Sequence, residues 1–335
     1  MDLSLSLAKE SSLSGSSTRF ISIYQGKFKL PPPRVYAKQK VATSLATRKE
    51  KTIPSKVVVF DLDETLGSFG DLFLLWTGIQ HIHPEFDSFT EALDIYPEFL
   101  RTGIFAILQF LYKKKKTGEC EKIFIYTNNQ CPPSWVSLLM DYFQQKMNPT
   151  PTPTITEGTN HQKVVLTEGT ILFDKVIGAF KIGNMPFEIS RTTNKKTYSD
   201  LIRCTMLPKN TEFCFIDDTE YNKMKHDKIY YIKPKPYIHS LSVQEIVDRW
   251  QTTFSGRYLI LPSYWYSWFS MHNRNGYLLK QTEEIGIHKQ VSEKLMFHIR
   301  EFFLLSTYHS FWKTTRKKRL SFSSGRNTKR SRGGS

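Results

Sequence analysis

Cysteine is scarce in this chain of 335 residues, which has four in all. They are Cys120, Cys131, Cys204 and Cys214, and no two of them form a CxxC pair. No histidine lies at zinc-finger spacing either, so the sequence offers neither a disulfide framework nor a zinc site of that kind. We therefore expect four reduced thiols in an intracellular protein.

Long hydrophobic runs are also missing. No run reaches the ~18 apolar residues of a membrane span, and the most apolar aromatic stretch, RYLILPSYWYSWFSM, is interrupted by Pro262. The first residues, MDLSLSLAKESSLSG, lack the charged-then-apolar order of a secretory signal. We expect a soluble protein in the nucleus or cytoplasm, with no membrane partner.

Net charge is missing from the middle of the chain. The sequence has 47 Lys and Arg against 31 Asp and Glu, an excess of 16. Residues 1–54 hold ten basic and three acidic residues, and residues 311–335 hold nine basic and no acidic ones, so these segments carry the whole excess. A basic groove on a folded domain, the usual mark of a nucleic-acid-binding protein, is therefore not indicated.

The two basic segments are both predicted to be disordered. Residues 1–54 form a serine-rich arm, whose composition is also typical of an organellar transit peptide, although a flexible arm is the interpretation that we favour. Residues 311–335 form a tail with basic clusters at 316–319 and 329–332. Such clusters favour the nucleus and nonspecific contact with nucleic acid.

Strand and helix patterns alternate through the middle of the chain. The apolar runs KVVVF, EKIFIY, FDKVIGAF, EFCFI and KIYYI are separated by helical patterns such as GDLFLLWTGIQHI and SDLIRCTML. This alternation predicts an α/β fold with a parallel sheet. We expect this core over residues 55–250, with a small cap or none and room for a small insertion within 131–191. A helical, aromatic extension is expected over residues 251–310.

Polar residues follow three of these strands directly. Asp61 and Asp63 end the first strand, in KVVVFDLDETLGSF, Thr127 ends the second, and Asp217 and Asp218 end a later one. Because ligands of an open parallel sheet lie beyond the carboxyl ends of its strands, these side chains are expected to meet at one edge. Carboxylates gathered there repel one another unless a cation lies between them, and oxygen ligands suit Mg²⁺.

The order of these parts resembles the haloacid dehalogenase superfamily: DxDxT, a strand-terminal threonine, a lysine and then an acid pair. The Glu in DLDETL and the segment YPEFLRTGIFAILQFL are similar to the C-terminal-domain phosphatases, the NLI-interacting-factor group, although Thr102 stands where that branch has proline. The longer pattern EKIFIYTNNQCPPSW, RTTNKKTYSDLIRC, FCFIDDTEYNKM and YYIKPKPYIH resembles the haloacid-dehalogenase-like phosphatase proteins of large DNA viruses. The resemblance implies a three-layer, Rossmann-like core.

The resemblance also implies a role for each residue in phosphate transfer. Asp61 would be the nucleophile that forms an aspartyl-phosphate, and Asp63 would be the general acid and then the general base. Thr127 and a lysine would bind the phosphoryl group. Lys196 is our choice for that lysine, with Lys195 as the alternative.

A magnesium site completes this set of implied roles. Asp61, Asp217 and the backbone carbonyl of Asp63 would hold the ion, with Asp218 beside it. The predicted activity is a Mg²⁺-dependent phosphatase with an aspartyl-phosphate intermediate. An open site favours phosphoserine or phosphothreonine on a protein substrate.

Two alternatives to the phosphoprotein phosphatase stay open in the sequence. A polynucleotide end phosphatase would use the same chemistry, with the basic segments holding the nucleic acid. A non-catalytic phosphate-binding scaffold is the other alternative. That scaffold would need a damaged site, whereas both aspartates, Thr127, a lysine and the later acid pair are all present.

Overall fold

The strands of this protein all belong either to one large sheet or to one small hairpin, within the residues that the structure describes. A computed structural model describes residues 19–23, 54–147, 170–254, 260–272 and 286–304. The strands are β1 (Arg19–Ile23), β2 (Lys56–Phe60), β3 (Lys122–Tyr126), β4 (Lys175–Ile177), β5 (Lys181–Ile182), β6 (Met185–Pro186), β7 (Glu212–Ile216) and β8 (Ile229–Pro234). Six of them form a sheet in the order β1-β8-β7-β2-β3-β4, in which every neighbouring pair is parallel. β5 and β6 form a separate antiparallel hairpin.

Eight α-helices accompany the strands in the described ranges. They are α1 (Gly70–Ile82), α2 (Phe89–Asp94), α3 (Ile104–Lys116), α4 (Pro133–Met147), α5 (Tyr198–Thr205), α6 (Val243–Phe254), α7 (Pro262–His272) and α8 (residues 286–304). The helical pattern around Pro97 divides into α2 and α3, because proline has no N–H to continue a helix. Gly103 then precedes α3 with φ +76°, a conformation that glycine adopts readily. None of the described helices is long and apolar enough to cross a membrane.

Helices cover both faces of the sheet, which gives a Rossmann-like α/β fold of three layers. Successive residues of a strand project to opposite faces, so Val58 and Phe60 pack on the side of α1–α4 and α6–α8. Val57 and Val59 pack on the side of α5. All four side chains are fully buried. A strand buried on both faces explains the unbroken apolar run KVVVF, and the predicted parallel α/β fold is confirmed.

The C-terminal helices share the core of the larger layer. Trp250 of α6, Trp265 of α7 and Leu295 of α8 belong to the same cluster of buried side chains as the helices before them. The buried apolar side chains of α8 are Val291, Leu295, Ile299, Phe302 and Phe303. The segment expected as a C-terminal extension therefore adds to the main core through α7 and α8.

The prediction of a disordered arm over residues 1–54 is wrong for residues 19–23. This RFISI segment forms β1, which pairs in parallel with β8 at one end of the sheet. Ile23 is buried, and the ring of Phe20 meets that of Tyr231 edge-on with centroids 5.1 Å apart. Burial of these apolar side chains offsets the loss of chain entropy, so a short strand forms inside a serine-rich segment.

Other predictions fall only partly on the described residues. Between residues 131 and 191 the described residues contain α4, β4 and the β5–β6 hairpin. Because β4 belongs to the large sheet, the hairpin is the described part of the predicted insertion. The proline- and threonine-rich loop at 148–162, the basic tail at 311–335 and the remainder of the arm up to residue 53 lie outside the described residues.

The order of the strands creates a crevice at the carboxyl end of β2. From β2 the chain continues to β3 and β4 on one side and later returns to β7 and β8 on the other. Such a reversal of strand order leaves a gap between the connections that leave the sheet in opposite directions, and ligands of α/β folds bind there. The loops after β2, β3 and β7 all border this gap.

Candidate active site

The sheet itself brings the three polar strand ends to one edge. The backbone N–H of Asp61 donates to β7 over 2.8 Å, and that of Asp217 donates to β8 over 3.2 Å. The backbone N–H of Thr127 donates to β4 over 2.9 Å. The backbone therefore continues the hydrogen bonding of the sheet for one residue beyond each strand. This fixes the backbone positions of Asp61, Asp217 and Thr127.

Lys196 lies between two of the carboxylates. Its ammonium donates to Asp61 Oδ1 and, over 2.6 Å, to Asp217 Oδ2. Lys196 is 1% exposed and Asp217 is 0% exposed, so the contact is shielded from water. The lysine comes from the loop just before α5, where the side chain of Thr197 accepts a hydrogen bond from the N–H of Asp200 and caps the helix.

Asp218 completes a group of three carboxylates. One oxygen of each of Asp61, Asp217 and Asp218 lies within 4.8 Å of the others, a geometry that could hold a metal ion. The hydroxyl of Thr65 orients Asp218, since it donates to Asp218 Oδ1 over 3.0 Å and accepts from its N–H over 3.1 Å. The N–H of Thr219 donates to Asp217 Oδ1 over 2.8 Å. These bonds fix the orientation of two of the three carboxylates.

Asp63 lies apart from that trio and has a different partner. Its Oδ2 accepts a hydrogen bond of 2.9 Å from the side-chain amide of Asn129. Burial and the charge of Asp61 raise the pKa of Asp63 to about 6. A carboxyl group with this pKa exchanges its proton near neutral pH, as a general acid and base must.

The cluster as a whole has more negative than positive groups. Burial and the charge of Asp61 raise the pKa of Asp218 to about 6, and the pKa of Asp217 is also raised. Burial alone would lower the pKa of Lys196, but the charges of Asp217 and Asp61 outweigh it and raise that pKa. One ammonium among four carboxyl groups leaves a deficit of positive charge. A hard divalent cation fits both this deficit and the all-oxygen donor set.

Thr127 begins a second loop, which a buried arginine holds in place. The hydroxyl of Thr127 accepts from the N–H of Asn129 over 2.9 Å. Arg191 donates to the carbonyls of Thr127 and Gly178 over 3.1 and 2.7 Å, and to the side chain of Asn128 over 2.8 Å. It also donates to the carbonyl of Asn194 over 3.1 Å, two residues before the lysine of the cluster.

Another buried arginine holds the loop that carries the two aspartates. Arg101 is 1% exposed and donates to the carbonyls of Thr65, Glu64 and Lys235 over 2.5, 2.6 and 2.9 Å. Glu64 has a φ of +53°, a conformation that costs free energy in a residue other than glycine. Arg101 therefore supports a strained turn between Asp63 and Thr65.

The structure brings Asp61, Asp217, Asp218 and Lys196 together, whereas the side chains of Asp63 and Thr127 contact Asn129. Lys196 lies in the cluster, whereas Lys195 is exposed. The carboxylate of Asp63 bonds to Asn129, and it is not one of the three carboxylates that could hold a metal ion. Sequence reasoning missed the roles of Arg101 and Arg191 in holding the loops. The signal for Arg101 was a lone charge in the apolar segment FLRTGIFAIL. For Arg191 the sequence offers no such signal.

Comparisons with known proteins do not identify a relative of this chain. No family model, curated protein or solved structure matches this chain. What the site does must therefore be inferred from its own residues and their geometry.

Proposed function

We propose that this protein is a Mg²⁺-dependent phosphomonoester hydrolase of the haloacid dehalogenase type, acting through an aspartyl-phosphate on Asp61. The observation that carries the proposal is the contact of one buried ammonium, Lys196, with the carboxylates of Asp61 and Asp217. A nucleophile, a group that neutralises phosphate charge and a set of metal ligands are then within one cluster, as phosphoryl transfer requires.

The first chemical step is transfer of the phosphoryl group to Asp61. A carboxylate oxygen of Asp61 forms a bond to phosphorus while the bond from phosphorus to the ester oxygen breaks. Asp63 donates its proton to the departing oxygen, so that the product leaves as a neutral alcohol. The ammonium of Lys196 and the hydroxyl of Thr127 hold oxygens of the phosphoryl group during this step.

The second step is hydrolysis of the aspartyl-phosphate. Asp63, now ionised, takes a proton from a water molecule that attacks phosphorus, and the bond to Asp61 breaks. Inorganic phosphate leaves, and both carboxyl groups return to their starting state. A pKa of about 6 at Asp63 supports both halves of this cycle, since the group gives and takes a proton at little cost near neutral pH.

The trio of Asp61, Asp217 and Asp218 would hold the Mg²⁺ ion, and Thr65 would keep Asp218 oriented toward it. When bound, the ion supplies positive charge to the phosphoryl oxygens and reduces repulsion between them and Asp61. Oxygen-only ligands favour Mg²⁺ over softer metals.

Phosphoserine or phosphothreonine in a protein is the substrate that we favour. As a residue Asp63 is half-buried and not fully enclosed, which leaves a route for a phosphate on the surface of a macromolecule. The described part of residues 55–310 belongs to a segment with no net charge, which gives little attraction for a polynucleotide.

The decisive experiment compares Asp61→Asn with Asp87→Asn, an exposed aspartate that serves as the matched control. With a phosphoserine peptide and Mg²⁺, Asp61→Asn should reduce kcat by a factor of about 10⁴ or more, and chelation by EDTA should abolish activity. Asp87→Asn should match the unaltered protein. Equal turnover by Asp61→Asn and the unaltered protein would refute the proposal, and faster release from a 3′-phosphorylated oligonucleotide would transfer it to the polynucleotide alternative.

A further inference from the structure

An apolar pocket opens beside Asn129, the residue that holds Asp63. It has a volume of about 350 Å³ and lies between α4, β4 and the β5–β6 hairpin. Thr127 and Asn129 form its inner end, and Val136, Phe173 and Phe187 are among its walls. We call it the hairpin pocket. Its volume is in the range of sites that take small ligands or single large side chains.

The chemistry of the proposed reaction directs the substrate toward this pocket. The oxygen that leaves phosphorus must lie within hydrogen-bond reach of Asp63, which protonates it. The organic part of the substrate is attached to that oxygen, so it extends from the Asp63 side of the cluster. Asn129 contacts Asp63 over 2.9 Å and also lines the hairpin pocket. The pocket is therefore next to the leaving group.

The chain segment around Phe187, which forms one wall of the pocket, is unusually apolar for a surface. Phe187 lines the pocket and is 45% exposed, while Met185 and Ile189, on either side of it in the chain, are 73% and 88% exposed. Exposed apolar side chains that adjoin a pocket are typical of a binding surface. The ring of Phe187 lies against Gly178, where an added Cβ would come within 2.5 Å of it, so the glycine is what lets the ring form this wall.

We propose that the hairpin pocket binds a large apolar side chain of a phosphoprotein substrate, located within a few residues of the phosphorylated serine or threonine. The proposal rests on the phosphatase function above and adds a sequence preference to it. Burial of such a side chain stabilises the bound substrate through the hydrophobic effect. The hairpin would thus select among phosphorylated segments that the carboxylate cluster alone cannot distinguish.

The charges of the pocket favour a peptide over a polynucleotide. Its charged lining residues are Asp141 and Lys175, and the ammonium of Lys175 donates to the carbonyl of Cys204 over 2.7 Å. A polynucleotide would bring further phosphates close to the carboxylate of Asp141. The cation of the lining, Lys175, already donates to a backbone carbonyl and would offset little of that repulsion. A peptide with an apolar side chain brings no such charge.

The test uses phosphoserine peptides with alanine on both sides and a single leucine moved from two residues before to two residues after the phosphoserine. We expect one leucine position to raise kcat/KM about tenfold or more over the all-alanine peptide. Ser137→Phe should remove this gain, because Ser137 is an exposed residue of α4 that lines the pocket. Ser134→Phe, on the same helix, exposed and outside the lining, is the matched control and should keep the gain.

Failure of this proposal is distinguishable from failure of the phosphatase function. If the enzyme hydrolyses all peptides equally, or Ser134→Phe and Ser137→Phe behave alike, the hairpin pocket has no such role. Peptide binding to Asp61→Asn, measured by fluorescence anisotropy, decides the question even without turnover, since leucine should strengthen binding by a similar factor. A 3′-phosphorylated oligonucleotide whose binding Ser137→Phe weakens more than that of the peptides would overturn the choice of a peptide.

Discussion

Two loops at the carboxyl edge of the sheet carry different functional groups, but each is held by a buried arginine. The first loop, residues 61–67 after β2, carries the carboxylates that would attack and protonate. The second loop, residues 127–131 after β3, carries a hydroxyl and amides. Each loop is held by one buried arginine that donates mainly to backbone carbonyls. An arginine therefore supports the shape of each loop, whereas a lysine, Lys196, offsets part of the negative charge of the cluster.

The surroundings of the two arginines differ in charge. Burial lowers the pKa of Arg101 to about 10, and the nearby charge of Asp218 opposes this effect. Both guanidinium groups lie over an aromatic ring, at 5.5 Å from that of Tyr237 for Arg101 and at 4.8 Å from that of Tyr126 for Arg191, but Arg191 has the neutral side chain of Asn128 as a partner. Arginine suits both places because its planar group donates in several directions at once, which lysine cannot do. The arginine of the first loop thus lies near a carboxylate, whereas that of the second bonds to a neutral amide.

After Asp61→Asn, the next largest effect is expected from replacing Lys196, which contacts both Asp61 and Asp217. Lys196→Met leaves Asp61 and Asp217 buried without their cation. With Mg²⁺ and a phosphoserine peptide we expect kcat to fall about 100-fold or more. In EDTA the free energy of unfolding should fall by about 3 kcal/mol, as when one partner of a buried ion pair is removed. Steady-state kinetics and urea denaturation measure the two quantities.

Lys195→Met is the matched control for that prediction, because Lys195 is adjacent and exposed. It should change the free energy of unfolding by less than about 0.5 kcal/mol and leave kcat unchanged. Equal effects of the two substitutions would show that the contact of Lys196 with the carboxylates carries neither stability nor catalysis.

A smaller effect should separate the two arginines by kinetics. Arg101→Gln loosens the loop of the nucleophile and the acid, so kcat should fall about tenfold while KM changes little. Arg191→Gln loosens Thr127 and the segment before Lys196, which hold the phosphate in the proposed mechanism, so KM should rise. Full Michaelis curves at saturating Mg²⁺ measure both. The same split of kcat and KM in both variants would contradict a division of labour between the loops.

Much of the fold could be predicted from the sequence, because most strands and helices have local sequence patterns that indicate them. Unbroken apolar runs mark the central strands, and amphipathic patterns mark helices such as α1 and α8, so the order of elements could be predicted. β1 could not be predicted in this way. Its partner β8 lies about two hundred residues later, with Phe20 opposite Tyr231, and five residues inside a serine-rich arm give no local sign of that pairing.

The site divides in the same manner. The location of Asp61, Asp217 and Thr127 at one edge of the sheet followed from their positions at the ends of parallel strands, which needs no knowledge of packing. The choice of Lys196 over Lys195 depends on which of two adjacent side chains faces the sheet. The bonds of Arg191 to carbonyls cannot be predicted, because every residue has a carbonyl and the acceptor's identity leaves no trace in the sequence.

The smallest predicted effect tests the bond that joins the two loops, from the Asn129 amide to Asp63. This bond lowers the pKa of Asp63 against the larger effect of burial, which raises it to about 6. Asn129→Ala removes the bond, so the pKa of Asp63 should rise. Since the general acid must be protonated in the first step, activity should persist to higher pH. The alkaline limb of the kcat/KM profile should move upward by about 0.7 pH unit, as expected for a hydrogen bond of about 1 kcal/mol.

The neighbouring Gln130→Ala is the control for this shift, since Gln130 is exposed and its side chain donates to the carbonyl of Asn128 and not to Asp63. Its pH profile should match that of the unaltered protein. A downward move of the alkaline limb in Asn129→Ala would have the wrong sign for loss of a bond to the ionised form. It would mean that the Asn129 amide stabilises the protonated form of Asp63, and that the second loop helps to keep this carboxyl group protonated before each turnover.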